Sequence, residues 1–295
     1  MCFTICKSCF IIKNMEMMYD IDAEYGKRGY LKENYRIFNI KDFCKQDFEF
    51  HYHEFEKLVL FKSGNTSYII EGKEYNLKPY DILLVGKGDI HKPIVSREEE
   101  YERIIVWINS DYIKNNALHH CFSKAKENGQ YLLRLPENTA KEIFDLADKF
   151  NAEKDEFGYE LMRETIFLQL MIMINRASEK YDDIRIEYKS DKQTDSIIEY
   201  INKNIFDDLS VDKIANKFFI SRYYLMHKFK KITGKTIYSY INSKRLMHAA
   251  NLIAEGYSAK TACFESGFHN YSVFLKAFKK EFGCVPTDYR QKEKM

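Results

Sequence analysis

Two periodicities divide the chain. From Phe48 to Ile108, apolar and aromatic runs of strand length alternate with turn residues: Ser63-Gly64-Asn65, Glu71-Gly72, Lys78-Pro79 and Gly86-Lys87-Gly88. Such punctuation predicts antiparallel strands and hairpins, closed as a β-barrel or jelly roll. Beyond Asp111 the period lengthens to that of a helix. The stretches TAKEIFDLADKFNAE and YELMRETIFLQLMIMINRASEKY place apolar residues three and four apart. In the second, Ile166, Leu170 and Met173 share one face, with Phe167 and Ile174 beside them. A helix this apolar is expected to pack on the barrel or to zip against another subunit. The polar run DDIRIEYKSDKQTD, residues 182–195, reads as a linker.

From Ser196 onward the pattern predicts almost continuous helix with short breaks. SIIEYINKN leads, a helix opens after Ser210, Ser221 caps the next and Gly234 ends it. TIYSYINSKRLMHAANLIAEG is a long helix closed by Gly256, followed by SAKTACFESG and NYSVFLKAFKKEFG. The last of these repeats an earlier stretch: YSVFLKAFKKEFG, Tyr271 to Gly283, echoes RYYLMHKFKKITG, Arg222 to Gly234, at an offset of 49 residues. The expected architecture is two units of short helix, tight turn and second helix, joined by one long helix of about 28 Å.

Each repeated second helix has an apolar and a basic face. In the first, Leu225, Phe229 and Ile232 are spaced to pack inward, leaving Tyr223, Met226, His227 and Lys230 outward. In the second, Phe274, Phe278 and Phe282 go in, leaving Ser272, Lys276 and Lys279 out. One charged helix is ordinarily a solvated face. Recurrence of the pairs Lys230-Lys231 and Lys279-Lys280, behind the same Phe and before the same Gly, argues for contact instead. A helix-turn-helix unit lays its second helix in the major groove, with margin Lys and Arg on phosphates. Two such readers on one face of a duplex are expected to take successive major grooves.

Charge sharpens this picture. The whole chain of 295 residues has a formal net charge of only +2. From Asp191 to the end, 18 Lys and Arg face 11 Asp and Glu, a net of +7, and the remainder carries 28 against 33, a net of −5. The basic excess lies where the paired helices lie, the footprint of a polyanion partner. No window reaches the length of apolar sequence a membrane span needs, since LMRETIFLQLMIMIN is short and holds Arg163 and Glu164. The seven cysteines are odd in number and Cys44, Cys121, Cys263 and Cys284 are dispersed, which fits a reducing cytoplasm rather than a disulfide framework. The N-terminus lacks the features of a signal peptide and Met15 is an alternative start. Cys2, Cys6 and Cys9 have the spacing of an iron-sulfur cluster site, but no alternation of strands and helices follows, so chance spacing is the reading taken.

The stretch from Leu209 to Arg290, above all the pattern GF-x2-YS-x-F-x3-FKK-x2-G-x2-P-x2-YR from Gly267 to Arg290, resembles the C-terminal DNA-binding domain of AraC/XylS-type transcriptional regulators. The resemblance implies binding to double-stranded promoter DNA through two helix-turn-helix units. Base contacts carry over to Ser221, Arg222, Tyr223, Met226 and His227 in the first unit, with Lys230 and Lys231 on phosphates. In the second they carry over to Asn270, Tyr271, Ser272 and Lys276, with Lys279 and Lys280 on phosphates. Two departures stand in the chain: Phe218-Phe219 where the first turn usually has a small residue, and Ala262-Cys263 in place of an Ile-Ala pair.

HYHEFEKLVLFKSG, His51 to Gly64, with Gly88 to His91 resembles the cupin sensor domain that precedes the DNA-binding domain in many of those regulators. In enzymatic cupins two His, a Glu and a later His hold a divalent metal. Here His51, His53 and His91 fill three places and Lys57 stands where the Glu belongs, an ammonium that repels a cation. Glu54 or Glu56 would serve only in a shifted register. The expectation is therefore an effector pocket at His51, His53 and His91, with no metal, no cofactor and no catalytic residues.

The expected domains are an N-terminal extension (1–30), a cupin-like barrel (31–110), a helical dimerisation or packing region (111–181), the linker (182–195) and an all-α DNA-binding domain (196–295). The implied function is a ligand-responsive activator, cytoplasmic and homodimeric, working with RNA polymerase on an unidentified small-molecule effector. The alternatives are a metal-dependent cupin enzyme with a DNA-binding tail and a weakly specific architectural DNA binder.

Overall fold

The structure is a computed structural model that describes residues 31, 33–43, 48–96, 99–115, 117–151, 157–182, 184 and 186–292. The N-terminal extension, with Met15 and the Cys2, Cys6 and Cys9 spacing, lies outside the described residues, as does Cys44. The chain forms two compact units, Met1–Lys189 and Ser190–Met295.

The first unit is built on two antiparallel sheets. One has the order β1-β7-β2-β5-β8 and the other β4-β3-β6. The strands are β1 (Tyr35–Asp42), β2 (Glu56–Ser63), β3 (Thr66–Ile70), β4 (Lys73–Asn76), β5 (Ile82–Val85), β6 (His91–Val95), β7 (Tyr101–Ile108) and β8 (Leu132–Leu133). Gly64, Gly72 and Gly88 take positive φ at turns between strands; of these turns only the one at Gly72 closes a hairpin, β3 to β4, while those at Gly64 and Gly88 carry the chain from one sheet to the other. Strand β2 is central, paired with both β5 and β7, and its first six residues are all buried. Its Leu58 and Leu60 belong to a core shared with Val106 of β7 and with the helices that follow.

Those helices are α1 (Ser110–Asn115), α2 (His120–Asn128), α3 (Glu137–Asp148) and α4 (Tyr159–Lys180). The expected packing of α4 holds: Ile166, Phe167, Leu170 and Ile174 are buried in the barrel core, joined by Met171 and Ala177, whereas Met173 is only partly buried. Strand β1 lies before the stretch that the strand pattern covers, and three further described elements escape the periodic reading. Helices α1 and α2 are short, and β8 is a two-residue strand completing the larger sheet against β5.

The second unit is all helix: α5 (Lys192–Lys203), α6 (Val211–Lys217), α7 (Arg222–Thr233), α8 (Ile237–Ala254), α9 (Ala259–Glu265), α10 (Tyr271–Phe282) and α11 (Pro286–Lys292). The stretch expected as a linker is shorter than its polarity suggests. Lys189 pairs in a β-bridge with Glu74, and α5 already begins at Lys192, because Asp191 accepts a hydrogen bond from the Thr194 N–H and pairs with Lys228 at 2.8 Å. Polarity alone does not distinguish a solvated linker from a helix cap.

The long α8 is the spine of this unit, in contact with α7, α9, α10 and α11. Its Arg245 is buried. The guanidinium is satisfied by the carbonyls of Ile205 at 2.7 Å and Asp207 at 2.6 Å, so it ties the segment after α5 to the spine.

Candidate nucleic-acid interface and effector site

Helices α7 and α10 are built alike. Each has 12 residues, a side-chain cap at its start and a left-handed glycine at its end. Ser221 accepts from the Tyr224 N–H at 3.2 Å and Asn270 from the Val273 N–H at 3.0 Å. Gly234 and Gly283 close them at φ of 70° and 72°. The apolar faces are Leu225 and Phe229 in α7 and Phe274, Phe278 and Phe282 in α10, all buried. One position of the expected inward face is corrected. Ile232 is only partly buried, and Thr233 takes the buried place instead, its hydroxyl donating to the Phe229 carbonyl at 2.8 Å. Positions 225, 229 and 233 keep a strict spacing of four, and hydrogen bonding back into the helix lets a threonine occupy an apolar site.

All the residues expected on the DNA side are exposed: Ser221, Arg222, Tyr223, Met226, His227, Lys230 and Lys231 in the first unit, and Asn270, Tyr271, Ser272, Lys276, Lys279 and Lys280 in the second. Their states differ. The Ser221 and Asn270 side chains are engaged as caps, so what they add to recognition is helix position and whatever bonding capacity the cap leaves. Arg222 forms a surface ion pair with Asp212 at 2.9 Å, which a phosphate would have to displace. The Tyr223 and His227 rings lie 4.4 Å apart at a tilt of 45°, an aromatic ledge one turn long. Phe219, one of the two aromatic residues noted where the first turn usually has a small one, stands in that turn almost fully in solvent.

In the first unit the three histidines come together. His51 and His91 face each other in an isolated bridge between strands, with ring centroids 4.4 Å apart, and His53 lies 5.0 Å from the first and 5.1 Å from the second. Their ligand atoms all lie within 4.8 Å of one another. The His51 Nδ1 bonds the Glu49 carbonyl at 2.8 Å and the His91 Nδ1 the Asp89 carbonyl at 2.9 Å. Burial, reinforced by the Lys57 charge and by the neighbouring imidazoles, holds His53 and His91 well below the usual histidine range.

The register settles which side chain of β2 joins them. Lys57 pairs with Trp107 on one side and Val85 on the other, and its ammonium stands 5.9 Å from the Tyr68 ring, which itself stacks over His91. Glu56 points to the opposite face, where its carboxylate accepts from the Lys87 N–H, the Ser110 hydroxyl and His119. A carboxylate is therefore spent elsewhere, and an ammonium is beside the imidazoles. A shallow groove bordered by Cys121, Gln130 and Tyr181 lies at α2 and α4, and no histidine lines it.

A β-barrel with converging polar groups, followed in the chain by paired helix-turn-helix units, defines a ligand-binding transcriptional regulator. The family model for the AraC-like ligand binding domain matches residues 39–171, and that for a helix-turn-helix domain matches residues 214–292. The chain belongs to the AraC-type regulators: a DNA-binding protein with an N-terminal ligand-binding domain. It is 26% identical over 244 residues to the HTH-type transcriptional activator RhaS of Mannheimia succiniciproducens, covering 81% of this chain and 88% of the relative. To RhaR of the same organism it is 24% identical over 258 residues, covering 83% and 88%. Among solved structures, a ToxT from Vibrio cholerae strain SCE256 is 17% identical over 88% of this chain and 98% of that chain, with a TM-score of 0.37.

Proposed function

We propose that the chain is a ligand-responsive transcriptional activator that reads promoter DNA with α7 and α10 in successive major grooves and works with RNA polymerase. The observation that carries this is the matched construction of the two helices. Each has a capped start, an apolar underside and a glycine-closed end, and each presents an exposed basic face. Helix α8, about 27 Å long for its 18 residues, is close in length to one turn of duplex DNA, about 34 Å. The barrel is the sensor, with His51, His53 and His91 at its effector site. The relatives named above are transcriptional activators, and activation is carried over from them.

The active form in this reading is a homodimer in the cytoplasm. Its support is the outer face of α4, where Leu161, Met162 and Ile172 are exposed and Leu168 is only partly covered. Leu161, Leu168 and Ile172 fall at seven- and four-residue intervals, the spacing of a helix seam. Among the described residues no helix is long and apolar enough to cross a membrane.

Footprinting of the full chain on genomic fragments, with competitor DNA present, tests the reading. It expects protection of discrete sites spanning two major grooves on one face of the duplex. Uniform retention of all fragments, abolished together by salt, would replace it with a nonspecific DNA binder.

A further inference from the structure

Among the described residues, the buried charged side chains mostly have polar partners, and Lys57 stands apart from them. Arg103 pairs with Asp42 at 2.6 Å, and Asp81 with Arg134 at 2.6 Å. Glu71 accepts from the Ile90 N–H and Asp89 from the Gly86 N–H. Glu56 has three partners and Arg245 two. Lys57 is 7% exposed, and among the described residues its ammonium meets no carboxylate and no hydrogen-bond acceptor, only the face of Tyr68 at 5.9 Å. With no carboxylate of the protein beside it, this ammonium is available to an anionic group of a ligand.

The groups around Lys57 define the rest of the occupant. A carbonyl can only accept, so the His91 Nδ1 must carry the proton it gives to Asp89, and the neutral ring leaves Nε2 as an acceptor. That Nε2 is buried without a partner, and so are both ring nitrogens of His53. The cluster thus offers one cationic donor and several nitrogen sites that lack partners. Aromatic rings border it: Phe55 stacks on His53 at 4.6 Å, and Trp107 lies 6.0 Å from His53. A ligand that answers all of this has an anionic end for Lys57, hydroxyl groups for the imidazoles and a carbon skeleton for the rings. A metal ion answers the imidazoles but is repelled by Lys57. A neutral sugar answers the imidazoles but leaves the ammonium uncompensated.

We propose that the effector is a small polyhydroxylated carboxylate of the sugar-acid class, its carboxylate held by Lys57 and its hydroxyls hydrogen-bonded to His53 and His91. This rests on the reading of the barrel as the sensor, and it specifies the chemistry that sensor selects.

The test is thermal unfolding and calorimetric titration of the full chain with a panel of aldonates and uronates, including gluconate and galacturonate. Glucose and galactose serve as neutral counterparts, acetate as a carboxylate without hydroxyls and zinc chloride as the metal. At saturating concentration at least one sugar acid is expected to raise the melting temperature by about 5 °C, and its neutral counterpart is not. Lys57→Met is expected to weaken that sugar acid by roughly 10- to 100-fold while leaving the unliganded protein no less stable. The proposal is overturned if no sugar acid binds, if neutral sugars bind as well, if zinc is taken up stoichiometrically in preference, or if Lys57→Met leaves sugar-acid binding intact. Should Lys57→Met fold poorly, Lys57→Gln and the wild-type comparison of charged with neutral ligand still decide. Footprinting on the same preparations separates the two readings, because specific protection without any sugar-acid response refutes the ligand class alone.

Discussion

Phe219 and Gly267 hold the same place in the two helix-turn-helix units. Each is the second residue after its first helix, and each is in the left-handed region, with φ of 54° and 77°. The chain turns identically around them: the Ile220 N–H returns to the Ala215 carbonyl at 3.0 Å, and the Phe268 N–H to the Cys263 carbonyl at 3.1 Å. From there the units part. Ser221 caps α7 two residues after Phe219, whereas Asn270 caps α10 three residues after Gly267, so the second turn holds one residue more.

The left-handed conformation is costly for phenylalanine and free for glycine. Phe219→Gly is expected to raise stability by about 1 kcal/mol in urea unfolding. Gly267→Ala is expected to lower it by about 2 kcal/mol, since its Cβ would meet the Phe206 carbonyl oxygen at 2.7 Å. A Phe219→Gly protein that gains nothing would mean the ring packs favourably in a way its 95% exposure does not reveal.

The exposed side chains of α7 and α10 divide by position. Replacing His227 or Lys276 with alanine is expected to change which bases are preferred, at about 1–3 kcal/mol per altered contact. Replacing Lys230 or Lys279 is expected to weaken every sequence alike and to reduce the salt slope by about 1. Competitive selection from a randomised site library, repeated at two salt concentrations, separates these outcomes. Loss of affinity from all four without a change of preference would remove the assignment of base readers.

The buried imidazoles make the barrel sensitive to acid. His53 is depressed from 6.5 in the folded chain by burial, then by Lys57 and His51, and His91 by burial, then by His51, Lys57 and His53. The unfolded chain therefore takes up protons that the folded chain refuses, so the stability is complete above pH 6.5 and declines as pH falls below it. Each imidazole contributes up to about 1.4 kcal/mol per pH unit. A melting temperature for the barrel unit that stays level between pH 7 and pH 5, or rises on acidification, contradicts this sign. His53→Gln is expected to flatten part of the slope.

Arg245 is structural. Replacing it with methionine strands the carbonyls of Ile205 and Asp207 and is expected to cost about 3 kcal/mol. Lysine should not rescue the loss, because a single ammonium cannot reproduce two divergent guanidinium bonds. Urea unfolding of both variants checks it, and a lysine protein as stable as wild type would show that one contact suffices.

The sequence by itself determined the DNA-binding half nearly to the residue. Its signals are local: caps at Ser210, Ser221 and Asn270, glycine stops at Gly234 and Gly283, and helical spacing that names the buried Phe229, Phe274 and Phe278. All of these act within a few turns of one helix, so periodicity reads them. It also marked the stretch that holds β2 to β7, and it singled out His51, His53, His91 and Lys57. The cupin resemblance put these last four at one site, but tertiary structure alone decided their contacts, because strand alternation fixes that Glu56 and Lys57 oppose each other but not what each of them meets. Those contacts come from closing the sheets, which also recruited the two-residue β8 and drew Lys189 of the polar stretch to Glu74, whereas in the second unit the packing of the segment after α5 on α8 buried Arg245. Each of these depends on partners distant in the chain, and the energy of such contacts leaves no period in the sequence.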